Sequence, residues 1–489
     1  MSADTLKFYN SDFKRTLFPL NTNHLIINKM HLQLDRSIAN QNGNLNHPLQ
    51  FLPQSRVFAN KGGRLLRRTV KLDPFAEYFI YDLIHKNRSY FISTNSKSRK
   101  IFGYNFSENK VPNTAASYSS FKKAISAFTN KYKYGMKFDI SSYFNSIYQH
   151  DLVSWFSETT NAEKDTKDFG QFLRQINSGR SVDCLPQGIL PCKVIGSHFL
   201  KFIDNSISLK CEGFLRFMDD FYLFGNDQQT VFDDFNLIQQ LLGLKGLNIN
   251  QSKTVHHIPS HIDVHLDSVK TELLQIRRKV IIVSGEEYDV SNPFQDILSH
   301  DQVEYLTTLL KNPNIEEEDA ELVLVLLRDY SRNVLDYLEG IIEKFPNLIK
   351  NIFSFSRFIE DKEDYLDILI NVVRNSRDIT EYQLFWIAWI VEIYLSEYEK
   401  AGELVNLLLI NPKSSSISKA KILEMKDNRF GLPEVREEYL RSGQSDWLGW
   451  SSAVGSQSMK KISRNHLLDY FGNGSEMNKL IAACVKSLD

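Results

Sequence analysis

Four cysteines in 489 residues are too few to frame a disulfide scaffold in a chain of this size. Cys184, Cys192, Cys211 and Cys484 also lack the paired spacing of a zinc site, which points to a reduced, cytosolic setting. Long apolar runs are missing too. The longest, residues 384–395, contains Glu392 and is too short to cross a bilayer, so it reads as a partner helix inside a helical domain. The opening MSADTLKFYNSDFKR has no apolar centre of the kind a signal peptide needs. Net charge is nearly absent at −1, yet that balance hides an asymmetry. Residues 1–138 hold 22 Lys and Arg against 7 Asp and Glu, whereas residues 291–489 hold 22 against 32. A basic first third suits phosphate-bearing ligands, whose binding weakens as salt rises. The same residues would also serve as a plain solvated basic face.

The length exceeds the roughly 250–300 residues at which single cores stop growing, so two domains or more are expected. Residues 1 to about 290 mix short strand-like runs with helices and carry every chemical motif. From about 291 the pattern turns helical. Val334, Leu338, Ile341, Ile342 and Phe345 fall at helical spacing, as do Leu366, Leu369, Ile370 and Val373, and then Leu384, Ile387, Ala388, Val391 and Leu395. Breaks at Asn312-Pro313, Pro346, Asn375-Ser376 and Asn411-Pro412 separate them. This predicts an antiparallel array of helices, a solenoid of helical hairpins without a clean sequence repeat. Residues 413–418, KSSSIS, read as a loop, and glycines near Gly449, Gly455 and Gly472 are expected to loosen the tail.

The chemistry begins at Tyr134-Gly-Met-Lys-Phe-Asp139. Tyr134, Met136 and Phe138 alternate with Lys137 and Asp139, so a strand with one buried face delivers a carboxylate at its end. From Ser141 through Phe144, Ile147 and Leu152 a serine-capped helix is predicted. The second element, Gly213-Phe-Leu-Arg-Phe217-Met218-Asp219-Asp220-Phe-Tyr-Leu-Phe224-Gly225, is two apolar strands hinged on a pair of acids. Hairpins ordinarily turn on Asn-Gly or Asp-Gly. Adjacent aspartates between apolar arms repel one another, and a cation relieves that repulsion. Two carboxylates at a turn and one on a neighbouring strand make a hard-oxygen site for Mg²⁺. Two such ions would activate an attacking hydroxyl and stabilise a departing pyrophosphate.

FDISSYF and FMDD resemble motifs A and C of reverse transcriptases. Leu185-Pro186-Gln187-Gly188 resembles their motif B, and the stretch from Gly246-Leu247-Asn248-Ile249-Asn250 to Lys253-Thr254 resembles motif D. The four occur in the family's order and at its intervals, over roughly residues 50–260. The resemblance implies an α+β chain. A fingers-and-palm domain, an antiparallel sheet with packed helices, would span residues 1–290, and an all-α, HEAT-like domain 291–489. It implies two Mg²⁺ ions, with Mn²⁺ as a possible substitute, held by Asp139, Ile140, Asp219 and Asp220. Lys253 is placed like the motif D lysine that gives a proton to the leaving pyrophosphate; the bland reading is a surface lysine. Phe144 stands where the family crowds the sugar's 2′ carbon, which favours deoxynucleotides; core packing is its alternative. Gln187 and Gly188 would let the backbone approach the nascent base pair. Lys61-Gly62-Gly63-Arg64-Leu-Leu-Arg67-Arg68 resembles the fingers hairpin that grips the triphosphate. Lys61 and Arg68 are the best matches, with Arg64 and Arg67 as rivals. Residues 96–100 would line a template or primer path.

Two departures narrow the family. Pro191, Cys192 and Lys193 replace the small residues that usually follow the motif B glycine, which loosens the link to a template. The long acidic helical half resembles the bacterial abortive-infection (Abi) polymerases of the AbiK kind, the smaller prophage-encoded type above all. That resemblance implies anti-phage DNA synthesis without a template, primed from a protein tyrosine. It also implies dNTPs as substrate, DNA covalently attached to the protein, and a bacterial cytoplasmic homo-oligomer, trimer before hexamer, with no membrane. No motif selects the priming tyrosine. Tyr9 is a guess that assumes a mobile N-terminus. Acidic helices packing on the basic fingers of a neighbouring subunit would be one route to a ring. The competing readings are a conventional RNA-templated reverse transcriptase and an idle scaffold whose helices bind a partner.

Overall fold

The structure, a computed structural model, describes residues 2–42, 49–93, 95–107, 113–179, 185–258, 270, 272–273, 276 and 298–488. Cys184 and the expected boundary near residue 290 lie outside them. The chain divides into two compact units that interleave in sequence. One comprises residues 1–17, 32–56 and 68–265; the other comprises residues 18–31, 57–67 and 266–489. This differs from a single division at 290 because early apolar residues belong with the later helices. Phe18, for instance, packs edge-on against Tyr382 and Phe385, with ring centroids 5.5 and 5.2 Å away.

The first unit is built on a four-stranded sheet of order β3-β5-β6-β4, comprising β3 (Arg99–Phe102), β4 (Tyr134–Asp139), β5 (Gly213–Phe217) and β6 (Asp220–Gly225). β3 runs parallel to β5; the β5–β6 and β6–β4 pairs are antiparallel. Period-two alternation gives the sheet two apolar faces. Phe138 and Phe221 stack with centroids 5.2 Å apart, and Phe235 of α10 (Gln228–Gly243) meets Phe138 edge-on. On the other face Leu215, Phe217, Tyr222 and Phe224 join Phe121, Ala124 and Phe128 of α4 (Thr114–Lys131) in one cluster. A separate hairpin pairs β1 (Ser55–Lys61) with β2 (Leu65–Lys71).

The N-terminus is not a mobile arm. Helix α1 (Ser2–Asp12) packs on α3 (Pro74–Lys86), and Tyr9 is fully buried with its ring 5.2 Å from that of Tyr81. The expected single helix after Asp139 is two: α5 (Tyr143–Ser146) and α6 (Gln149–Thr160). The first starts two residues later than expected, after Ser142, which is left-handed and makes no side-chain capping bond.

The second unit contains an array of helices from His300–Lys311 to Glu476–Lys486, most of them packing chiefly on the second one along. All the predicted breaks separate helices. The apolar run forms Glu381–Ile390, whose residues from 382 to 390 are all buried, followed by a π-helical turn, Val391–Leu395. That turn brings Glu392 to 2.7 Å from the ammonium of buried Lys421, which also pairs with Glu424 at 2.9 Å. Two expectations fail here. Ser415 caps the helix Ser416–Leu423, so only the first half of KSSSIS is loop. Gly449 and Gly455 lie inside the buried helix Trp447–Gly455, where a Cβ on Gly455 would collide with the Leu423 carbonyl. They permit tight packing and do not loosen the tail.

Candidate active site

Pairing between β4 and β6 places Lys137 opposite Tyr222, Phe138 opposite Phe221 and Asp139 opposite Asp220. Pairing between β5 and β6 sets Phe217 opposite Asp220, which leaves Met218 and Asp219 as a two-residue turn. All three aspartates are therefore gathered at one end of the sheet. Like charges directly opposed across a ladder are destabilising, and burial sharpens the conflict. Asp219 has its carboxyl pushed up to about 6 by burial, with the charge of Asp220 as the next cause. Asp220 is also raised, by burial first, with Lys137 opposing.

Motif D reaches this end because residues 248–258 run along the free edge of β4. The Lys137 and Val255 backbones exchange bonds of 2.9 and 2.7 Å, Asn250 N donates to the Asp139 carbonyl at 2.9 Å, and Ile140 bridges Ile249. A 3₁₀ turn, Gln251–Lys253, then sends the Lys253 ammonium to Asp139 Oδ2 at 2.7 Å. That bond raises the Lys253 pKa. Asp139 Oδ1 is buried and accepts no hydrogen bond.

The donor set fits a divalent cation. An orphaned carboxylate oxygen and two acids held against their own repulsion call for positive charge beyond that of Lys253. Among the described residues no three His, Cys, Asp or Glu side chains close into a metal cage. Mg²⁺ needs none, since it commonly takes one or two carboxylates, several waters and substrate phosphates. Asp139, Asp219 and Asp220 would hold it, with Ile140 beside them. Bound there, such ions would activate an attacking hydroxyl and neutralise charge on a leaving pyrophosphate.

Motif B flanks the site. Thr69, next to Arg68 on β2, is locked to Gln187: its Oγ1 accepts from the Gln187 N at 2.7 Å and donates to its carbonyl at 3.1 Å. Gln187 Nε2 donates to Asn145 at 3.3 Å. Gly188 has φ +90°, and a Cβ there would run into Leu17. The missing side chain of that glycine thus leaves room for Leu17. Asp12 adds to this fastening by accepting from Leu190 N at 2.6 Å and from Tyr81 Oη at 2.5 Å. The departure from the family pattern has a local reason, because Pro191 falls in the first turn of α8 (Leu190–Phe199), where proline is favoured. Phe144 is half-buried beside Gly196 of α8.

The hairpin residues go different ways. Lys61 is exposed at the end of β1 and belongs to the second unit. Arg64, a rival for the triphosphate, instead sits 3.5 Å from Asp378 and donates to the Glu343 carbonyl at 3.3 Å. Basic hairpin and acidic helix thus already meet within one chain. Arg99 is likewise committed to structure, donating to the carbonyls of Asp204, Ser206 and Leu209.

Sequence reasoning missed Arg216. It is wholly buried in β5, with Nε 2.7 Å from Asp204 Oδ1, a second bond to Asp204 Oδ2, Nη1 2.7 Å from the Met218 carbonyl and Nη2 3.0 Å from that of Ser197. The available signal was an arginine interrupting an apolar strand.

Residues 80–308 match the family model described as reverse transcriptase (RNA-dependent DNA polymerase). This part of the chain has the reverse-transcriptase fold. The matched segment contains all four motifs, whereas Lys61 and Arg68 precede it. Reverse-transcriptase domains typically use divalent ions such as Mg²⁺. No curated protein matches the chain. Among solved structures, it is similar to telomerase from Candida albicans in complex with a fragment of telomeric RNA. The identity is 14%, covering 78% of this chain and 70% of that one, with TM-score 0.31. Apo telomerase from Candida tropicalis gives 14%, 76%, 72% and 0.32. At these scores the likeness carries no argument.

Proposed function

We propose that this chain is a DNA polymerase of reverse-transcriptase type that adds deoxynucleotides by carboxylate-held, two-ion phosphoryl transfer. The observation that carries the reading is Asp139 opposite Asp220, with Asp219 in the adjoining turn and Lys253 on Asp139. In this reading Lys253, kept protonated by Asp139, donates to the leaving pyrophosphate, and Phe144 excludes a 2′-hydroxyl. Lys61 and Arg68 hold the triphosphate, with Gln187 and Gly188 framing the new base pair. Catalysis falls within residues 1–290, and the helices of 291–489 serve assembly.

The biological setting in this proposal is abortive infection in a bacterial cytoplasm, by template-independent, protein-primed synthesis in a homo-oligomer, trimer before hexamer. The motif B departure at Pro191, Cys192 and Lys193 and the helical array support it. Burial of Tyr9 speaks against it as a primer; among the described residues Tyr90, Tyr118, Tyr148, Tyr330 and Tyr470 are exposed. A templated reading is favoured by one observation, the RNA-dependent description of the matching family. The test is purified protein with Mg²⁺ and labelled dNTPs, without nucleic acid, run with and without protease. Product that migrates with protein until digestion supports untemplated priming. Synthesis only on added RNA favours the templated reading.

A further inference from the structure

We propose that Arg216 is a positioning residue for the acidic turn, holding Asp219 and Asp220 through the backbone of Met218; the inference rests on the polymerase reading above. Met218 opens the turn with φ +58°, a conformation that a methionine adopts against its local preference. Two-residue hairpin turns ordinarily place Asn, Asp or Gly there. Something outside the turn must therefore hold it. The 2.7 Å bond from Arg216 Nη1 to the Met218 carbonyl does so. That carbonyl shares a peptide plane with the Asp219 nitrogen, so fixing one fixes the direction in which Asp219 leaves the backbone.

The guanidinium is itself anchored on two other elements. Asp204, from the short helix α9 (Lys201–Asp204), takes Nε and Nη2 in a fork, and Ser197 on α8 accepts from Nη2 at 3.0 Å. The turn is thereby tied to the helix that follows motif B, which puts motifs B and C in one bonded unit. A lysine could supply the charge but not the planar fork. Stability alone is a weak account of the pair, because buried ion pairs are often replaceable by apolar residues without loss.

That last property gives the test. Full-length wild type, Arg216→Met, Arg216→Lys and the double variant Arg216→Met with Asp204→Leu are compared by thermal melting, Mn²⁺ binding by EPR, and steady-state dNTP incorporation. Arg216→Met alone leaves Asp204 buried and unpaired, so its melting midpoint falls; the double variant recovers it. The proposal expects the double variant to remain weaker in Mn²⁺ affinity and lower in kcat, by about 10–100-fold, as for lost outer support of metal ligands. KM for dNTP stays near wild type, and Arg216→Lys recovers only part of the loss. If affinity and kcat return with the melting midpoint, the pair is structural and the proposal is overturned. Mn²⁺ binding reads the turn even if the wild type incorporates nothing. That result would sink the polymerase reading and leave the clamp standing.

Discussion

Lys253 and Asp139, 114 positions apart in the chain, meet at 2.7 Å across the free edge of β4. The pair gives the lysine a reason to hold its proton and leaves the other Asp139 oxygen unpartnered. If Lys253 is the acid that serves the leaving pyrophosphate, Lys253→Ala lowers kcat by about 10²-fold or more while KM for dNTP changes little. Steady-state incorporation kinetics check this, and a wild-type rate would reduce Lys253 to a surface cation.

The opposition of Asp139 and Asp220 should make activity and stability diverge. Asp220→Asn abolishes incorporation yet raises metal-free stability, by about 0.2–1 kcal/mol for relief of one opposed like-charge pair. Thermal unfolding in EDTA measures it. A lower melting midpoint than wild type would show that the repulsion is not felt.

These acids and the strands bearing them were legible in sequence because alternation marks β4, unbroken apolar arms mark β5 and β6, and the acids stand at the strand ends. The helical half was legible for a similar reason, with Pro and Asn breaks between amphipathic stretches. What escaped notice depends on distant partners. Leu190 N finds Asp12 178 residues away, and Arg216 finds Asp204 on a short helix whose burial no local pattern announces. Glu392 looked like a blemish in an apolar run, and only the fold supplies Lys421.

Gly188 is constrained twice, by φ +90° and by Leu17. Gly188→Ala is expected to destabilise by about 2 kcal/mol or more, from left-handed strain plus overpacking. Leu17→Ala makes room, so the double variant loses less than the sum, with a coupling of about 0.5–3 kcal/mol. Denaturant unfolding of the four proteins closes this cycle; strict additivity would mean the two residues do not press on each other.

Lys421 sits between Glu392 and Glu424, and Glu424 also accepts from the backbone nitrogens of Asn21 and Thr22 at 2.8 and 2.7 Å. Lys421→Met strands two carboxylates in the interior and should lower stability by about 3–5 kcal/mol. Chemical denaturation monitored by tryptophan fluorescence reads the effect, since Trp389 lies 4.8 Å from the ammonium. A loss below about 1 kcal/mol, the range of exposed pairs, would contradict the buried network.

In the proposed function Asp139, Asp219 and Asp220 form one ion-dependent nucleotidyl-transfer site. Its most direct test is labelled dNTP incorporation by the purified protein in Mg²⁺, beside EDTA and beside Asp139→Asn, Asp219→Asn and Asp220→Asn, with and without added RNA. The expected result is incorporation in Mg²⁺ that EDTA and each substitution abolish. Incorporation that survives any of the three substitutions would contradict it.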